Sequence, residues 1–164
     1  MHRDFKELFG FLNAESVHYL VVGGYAVSLH AEPRATKDLD ILVEPTLENA
    51  TKLFRALAAF GAPLEGIAAE DLVQPGSFFR MGVPPVMVDI LPNIAGVDFS
   101  EVWPRRVETV VDAQSGLVAP FMSAGDLMQA KLASGRAQDV ADAEALRTAT
   151  RLRTDKPDSS DPEG

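Results

Sequence analysis

The chain has 164 residues and weighs 17.7 kDa, enough for one compact domain and too little for a separate substrate domain. With 46% hydrophobic and 24% charged residues it reads as an ordinary globular chain, neither disordered nor low in complexity. The 15 Lys+Arg against 24 Asp+Glu give a formal charge of −9, which excludes a general binder of nucleic acid or anionic membrane but leaves room for a local basic pocket.

There is no cysteine, so disulfides, zinc–thiolate centres and thiol nucleophiles are excluded. Residues 1–13 intersperse His2, Arg3, Asp4, Lys6 and Glu7 among apolar side chains, unlike the core of a signal peptide. No window approaches the roughly 20 apolar residues of a membrane-spanning helix, and the expectation is a soluble, cytoplasmic protein with no membrane partner.

In chain order, Phe5, Leu8, Phe9 and Leu12 recur at helical spacing and predict an amphipathic helix over 3–14. The run VHYLVV at 17–22 is a short buried strand that ends at Gly23-Gly24, and one or two helical turns follow to His30 before Glu32-Pro33. Residues 38–44 (DLDILVE) are a second strand. Pro45-Thr46 then opens a helix over 47–60, with Leu53, Leu57 and Phe60 on one face and Gly61 as its stop.

Residues 76–81 and 86–91 read as two strands around a turn at Gly82-Val83-Pro84-Pro85, and 107–111 as a further strand. Ser123 and Asp126 predict a capped helix start, Gly135 its stop, and 137–150 a last helix. That last helix carries Asp139, Asp142 and Glu144, which read as its outer, solvated face. From Thr154 the chain is TDKPDSSDPEG, with four acids, one base and no apolar side chain, and is predicted to be a disordered acidic tail. The fold class expected is α/β (α+β), a small mixed sheet flanked by helices, with 1–153 as one domain.

The chemistry concentrates in three acids. Strand alternation places Asp38 and Asp40 on one face while Leu39 and Ile41 point to the other, with roots about 6–7 Å apart. Asp89 lies inside the apolar strand VMVDIL, where an unpaired carboxylate is costly. Each acid taken singly fits a solvated strand edge or a turn. The three together favour a metal site, because hard carboxylate oxygens are what Mg²⁺ or Mn²⁺ requires. Gly23-Gly24 at a strand-to-helix junction permits close backbone approach and offers free N–H groups to an anion, although a tight turn alone would also use it.

The stretch YLVVGGYAVSLHAEPRATKDLDILVE, with VMVDIL behind it, resembles the polymerase-beta-like nucleotidyltransferase superfamily: an apolar strand, Gly-Gly, a short helix, Asp-x-Asp on the next strand and a third acid on a later one. The pattern Arg34, Thr36, Asp38, Asp40 is similar to that of small bacterial nucleotidyltransferases related to abortive-infection toxins, and the likeness extends over about residues 5–150. The resemblance implies that Asp38, Asp40 and Asp89 are catalytic and hold two Mg²⁺ ions, with Asp89 assisting deprotonation of the attacking hydroxyl. It implies that Gly23 and Gly24 bind the nucleotide phosphates.

It also brings Arg34, Thr36 and Lys131 in as nucleotide-binding candidates, beside readings as a surface pair, a loop cap and a solvated helix lysine. Alternation alone does not place Arg80 in the pocket, and Trp103 reads as a packing anchor.

The activity implied is transfer of a nucleoside monophosphate from an NTP to a hydroxyl acceptor, which in such relatives is tRNA, a protein or a small molecule. A toxin–antitoxin or phage-defence setting would add a cognate antitoxin as partner. Arg105, Arg106, Lys131, Arg136, Arg147, Arg151 and Arg153 could gather on one side to hold tRNA. The alternatives are a non-catalytic, partner-binding subunit of the same fold and, less well matched by the Gly-Gly, a metal-dependent nuclease.

Overall fold

A computed structural model describes residues 1–33, 35–36 and 38–154. Six strands form one mixed sheet in the order β3-β4-β2-β1-β6-β5. Helix α1 (Arg3–Ala14) lays Phe5, Leu8, Phe9 and Leu12 against the sheet, as their spacing requires. Strand β1 (Tyr19–Val22) is buried along its whole length and passes directly into α2 (Gly23–His30). Strand β2 (Asp38–Val43) runs antiparallel to β1 on one side and parallel to β4 (Val86–Leu91) on the other, so it is central and its Leu39 and Ile41 are fully buried.

Helix α3 (Leu47–Phe60) is capped by the Thr46 hydroxyl, which accepts from the Asn49 N–H, and stops at Gly61 with φ +99°. A 3-10 segment, Ala69–Val73, contributes Leu72 and Val73 to the core. Strand β3 (Phe79–Val83) begins three residues later than the sequence predicted and pairs through Val83 with Val86. Only Pro84-Pro85 therefore connects the two strands, and Gly82 belongs to the strand. Its φ of +114° and the Val86 carbonyl, which an added Cβ would meet at 2.2 Å, explain the glycine.

Two elements escaped the sequence reading. The short helix α4 (Phe99–Val102) buries Phe99 and Val102, and β6 (Leu117–Phe121) lies between β1 and β5 (Val107–Asp112) in the sheet. Pro120, with no N–H to donate to a ladder, is unusual inside a sheet. Strand β6 nevertheless pairs in parallel with β1 through Phe121 and Val21, beyond the proline.

Helix α5 (Ala124–Ser134) starts at Ser123 as predicted, its hydroxyl accepting from the Asp126 N–H. Helix α6 (Ala137–Thr154) is longer than predicted and takes in Thr154, the first residue assigned to the tail; 155–164 lie outside the described residues. The observed layers, a mixed sheet with flanking helices, are the predicted fold class. No helix among the described residues is long and apolar enough to cross a membrane.

Candidate active site

Strand register assembles the site. Asp40 is level with Val22 of β1 on one side and with Asp89 of β4 on the other, and Arg80 of β3 is level with Asp89. Val22, Asp40, Asp89 and Arg80 thus form one row across four strands. Asp38 stands two residues back on β2, on the same face as Asp40. Three residues distant in sequence are brought together by pairing that the apolar runs around them dictate.

Burial and crowding set the electrostatics. The Asp40 carboxyl is pushed up to about 6, first by burial and then by the charges of Asp89 and Asp38, against a smaller opposing effect of Lys131. Among the described residues, Asp89 Oδ1 is buried without a hydrogen-bond partner, the condition expected of an atom awaiting a ligand. Arg80 reaches across, with Nη2 3.2 Å from Asp38 Oδ2 and Nε 3.6 Å from Asp89 Oδ1.

Gly23 has φ +67°, and a Cβ there would lie 2.1 Å from Asp40 Oδ2. The glycine is required twice, by its backbone conformation and by the carboxylate pressed against it. The start of α2 has no side-chain cap, so first-turn N–H groups of Gly23 and Gly24 remain available beside the acids. Tyr25 donates its hydroxyl to the Thr36 carbonyl at 3.2 Å while its ring meets Phe5 edge-on at 5.8 Å. This ties the loop before Asp38 to α2. Thr36 is therefore seen here as an anchor of that loop through its backbone, and Arg34 lies outside the described residues.

A cleft of about 250 Å³ opens beside Gly23 and Asp40 and is closed opposite by Lys131, Arg136 and Asp139. Lys131 lines this cleft, but it is not a solvated helix lysine: its Nζ lies 3.2 Å from Asp139 Oδ1 and 3.1 Å from Asp142 Oδ2. Asp139 and Asp142 are each 3% exposed, so the outer face expected for them is a buried one.

The reason is helical phase, since Asp139, Asp142, Ala143 and Leu146 share the stripe that packs on α5. Burial raises the Asp139 carboxyl, but hydrogen bonds from Ser134, Arg136 and Lys131 outweigh it and hold the group at about 2. The spacing i, i+3, i+4, i+7 ending on Leu146 was the signal available for these acids.

The arginines listed as a tRNA-holding set are largely engaged locally: Arg105 with Asp126, Arg106 with Glu108, Arg136 with Asp139 and Arg147 with Glu144, while Arg153 donates to the His30 carbonyl. Trp103 packs as expected, stacked on His18 at 4.4 Å and on Phe99 at 5.5 Å.

The donor set fits a divalent ion in its chemistry, with three carboxylates on one face, one of them with a buried oxygen that no described residue hydrogen-bonds and one raised by burial and crowding. Among the described residues, no three acids or histidines converge tightly enough to cage an ion in this arrangement, in which Asp38 pairs with Arg80.

A Gly-Gly strand-to-helix turn facing carboxylates on two adjacent parallel strands defines a polymerase-beta-like nucleotidyltransferase fold. Solved structures share it. A candidate nucleotidyltransferase from Thermotoga maritima matches at a TM-score of 0.58 and 22% identity, covering 92% of each chain. The lincosamide antibiotic adenylyltransferase LnuA, bound to lincomycin, matches at 0.56 and 16%, over 91% of this chain and 98% of that one. ANT(2")-Ia in complex with adenylyl-2"-tobramycin matches at 0.56 and 14%, over 90% and 87%.

No curated protein matches the sequence significantly. The chain belongs to the family described as "Nucleotidyltransferase of unknown function (DUF6036)", whose model matches residues 3–156.

Proposed function

We propose that this nucleotidyltransferase moves a nucleoside monophosphate from an NTP to a hydroxyl of its acceptor, with release of pyrophosphate, using Mg²⁺ or Mn²⁺. The observation that carries the reading is the row of Asp40 and Asp89, level on adjacent strands and with Asp38 beside them, against a glycine whose added Cβ would collide with Asp40 Oδ2. Asp38, Asp40 and Asp89 would hold the metal, which when bound supplies charge neutralisation at the triphosphate and lowers the pKa of the attacking hydroxyl.

The protein's own part is positioning. First-turn N–H groups of Gly23 and Gly24 receive phosphate oxygens. Lys131, fixed from behind by Asp139 and Asp142, directs positive charge into the cleft without needing to reorganise. Asp89, with one buried oxygen that no described residue hydrogen-bonds, would accept the proton of the incoming hydroxyl. Arg34 and Thr36, shortly before Asp38 in the sequence, are proposed to complete the phosphate contacts.

The acceptor is proposed to be neutral or cationic. A net charge of −9 and arginines already engaged by neighbouring acids do not favour a polyanion such as tRNA, and adenylyltransferases of lincosamide and aminoglycoside antibiotics share the fold. The test is transfer of label from α-³²P-NTP with Mg²⁺, comparing wild type with Asp38→Ala and Asp40→Ala. Turnover surviving both substitutions would refute the assignment of the acids. Nucleotide binding without transfer to any acceptor would favour the non-catalytic, partner-binding subunit.

A further inference from the structure

Arg80 is the one side chain of the site with no role in the scheme above. It stands on β3, the edge of the sheet, level with Asp89, and its half-exposed side chain spans two acids that belong to two different strands. Its contacts are unequal: a hydrogen-bonded pair to Asp38 at 3.2 Å and a looser one to Asp89 at 3.6 Å. The other cation beside the acids, Lys131, is already committed to Asp139 and Asp142 on the far wall of the cleft. Among the described residues, the cation left to the acids is therefore the guanidinium, which reaches them from the solvent side.

We propose that Arg80 is a displaceable counter-ion: it neutralises Asp38 and Asp89 in the nucleotide-free enzyme and leaves both when the nucleotide arrives, so that the acids become free for a divalent ion only together with substrate. The inference rests on the metal-dependent reading above and adds to it an order of events. A guanidinium that left the acids in the free enzyme would lose two ion pairs and gain only water. With an NTP present it gains phosphate oxygens, which it matches in geometry. As part of a flexible arm on an edge strand, it can turn outward without disturbing the core, where its neighbours Met81 and Val88 are fixed. Binding of metal and of nucleotide are then positively coupled, each strengthening the other by the same factor.

The experiment measures Mn²⁺ affinity by electron paramagnetic resonance and calorimetry, with and without a non-hydrolysable NTP analogue, for wild type, Arg80→Gln and Arg147→Gln. Arg147 pairs with Glu144 on α6 and controls for the change in net charge. Wild type is expected to bind Mn²⁺ about tenfold more tightly with the analogue than without it. Arg80→Gln should bind Mn²⁺ about tenfold more tightly than wild type in the absence of nucleotide, with the gain brought by the analogue correspondingly smaller. Arg147→Gln should behave as wild type.

If Arg80→Gln and wild type bind free Mn²⁺ equally, or Arg147→Gln gains as much as Arg80→Gln, the counter-ion role is refuted while the metal site stands. If neither wild type nor Arg80→Gln binds Mn²⁺ even with the analogue, the metal-dependent reading fails and takes this inference with it.

Discussion

Asp40→Asn should make the free protein more stable at neutral pH while abolishing its activity. Asp40 is ionised at pH 7.5 in both folded and unfolded chains, but the folded site holds its carboxyl at about 6 against an ordinary 3.8, through burial and then the charges of Asp89 and Asp38. A difference of about two pKa units corresponds to roughly 3 kcal/mol of unfavourable interaction in the charged folded state. The sign follows from proton uptake. Between pH 4 and 6 the folded chain keeps a proton that the unfolded chain has released, so this site costs nothing below pH 4, and its cost grows as pH rises to 6 and then stays constant.

Asn resembles the protonated acid. It should recover about 1–3 kcal/mol at pH 7.5, an increase in Tm of roughly 2–10 °C for a chain of this size. Scanning fluorimetry of both proteins at pH 7.5 and pH 4 measures the difference, which should shrink towards zero at the acid pH. A lower Tm for Asp40→Asn than for wild type at pH 7.5, or a gain equal at both pH values, would refute the argument that the acids are crowded in the metal-free state.

The same geometry yields three further expectations. Gly23→Ala drives a methyl into Asp40 Oδ2 and forces φ +67° on a residue with a Cβ, so label transfer should fall about 100-fold, and calorimetry should show a loss of roughly 1–2 kcal/mol. Lys131→Met leaves Asp139 and Asp142 buried without their shared cation and should cost about 3 kcal/mol in urea unfolding, together with weaker nucleotide binding. Asp139 is held at about 2 in the folded chain, so its contribution of roughly 2 kcal/mol is complete above pH 4 and is lost as pH falls towards 2; the stability gap between wild type and Asp139→Asn in acid titrations should close over that window.

What the sequence could reveal followed from how far each signal reaches. The apolar runs at β1, β2 and β4 have period-two or continuous patterns that are local properties, and Asp38, Asp40 and Asp89 stood out because they interrupt such runs. That they meet depends on β2 and β4 pairing in parallel, a non-local fact that the resemblance carried and spacing alone did not.

Arg80 shows the limit. Its place among the acids is set by the antiparallel register of β3 on β4, which is fixed by the two-residue Pro84-Pro85 connection; a turn of four residues, Gly82 to Pro85, as the sequence reading had it, shifts that register and sets Arg80 opposite Met87. Asp139 and Asp142 failed for a different reason. Acids on a helix default to its wet face, and only the phase they share with Ala143 and Leu146 contradicts that default. Lys131 is what reconciles the two: a lysine next to the proposed phosphate site must be held in place when phosphates are absent, and burying two acids behind it does this.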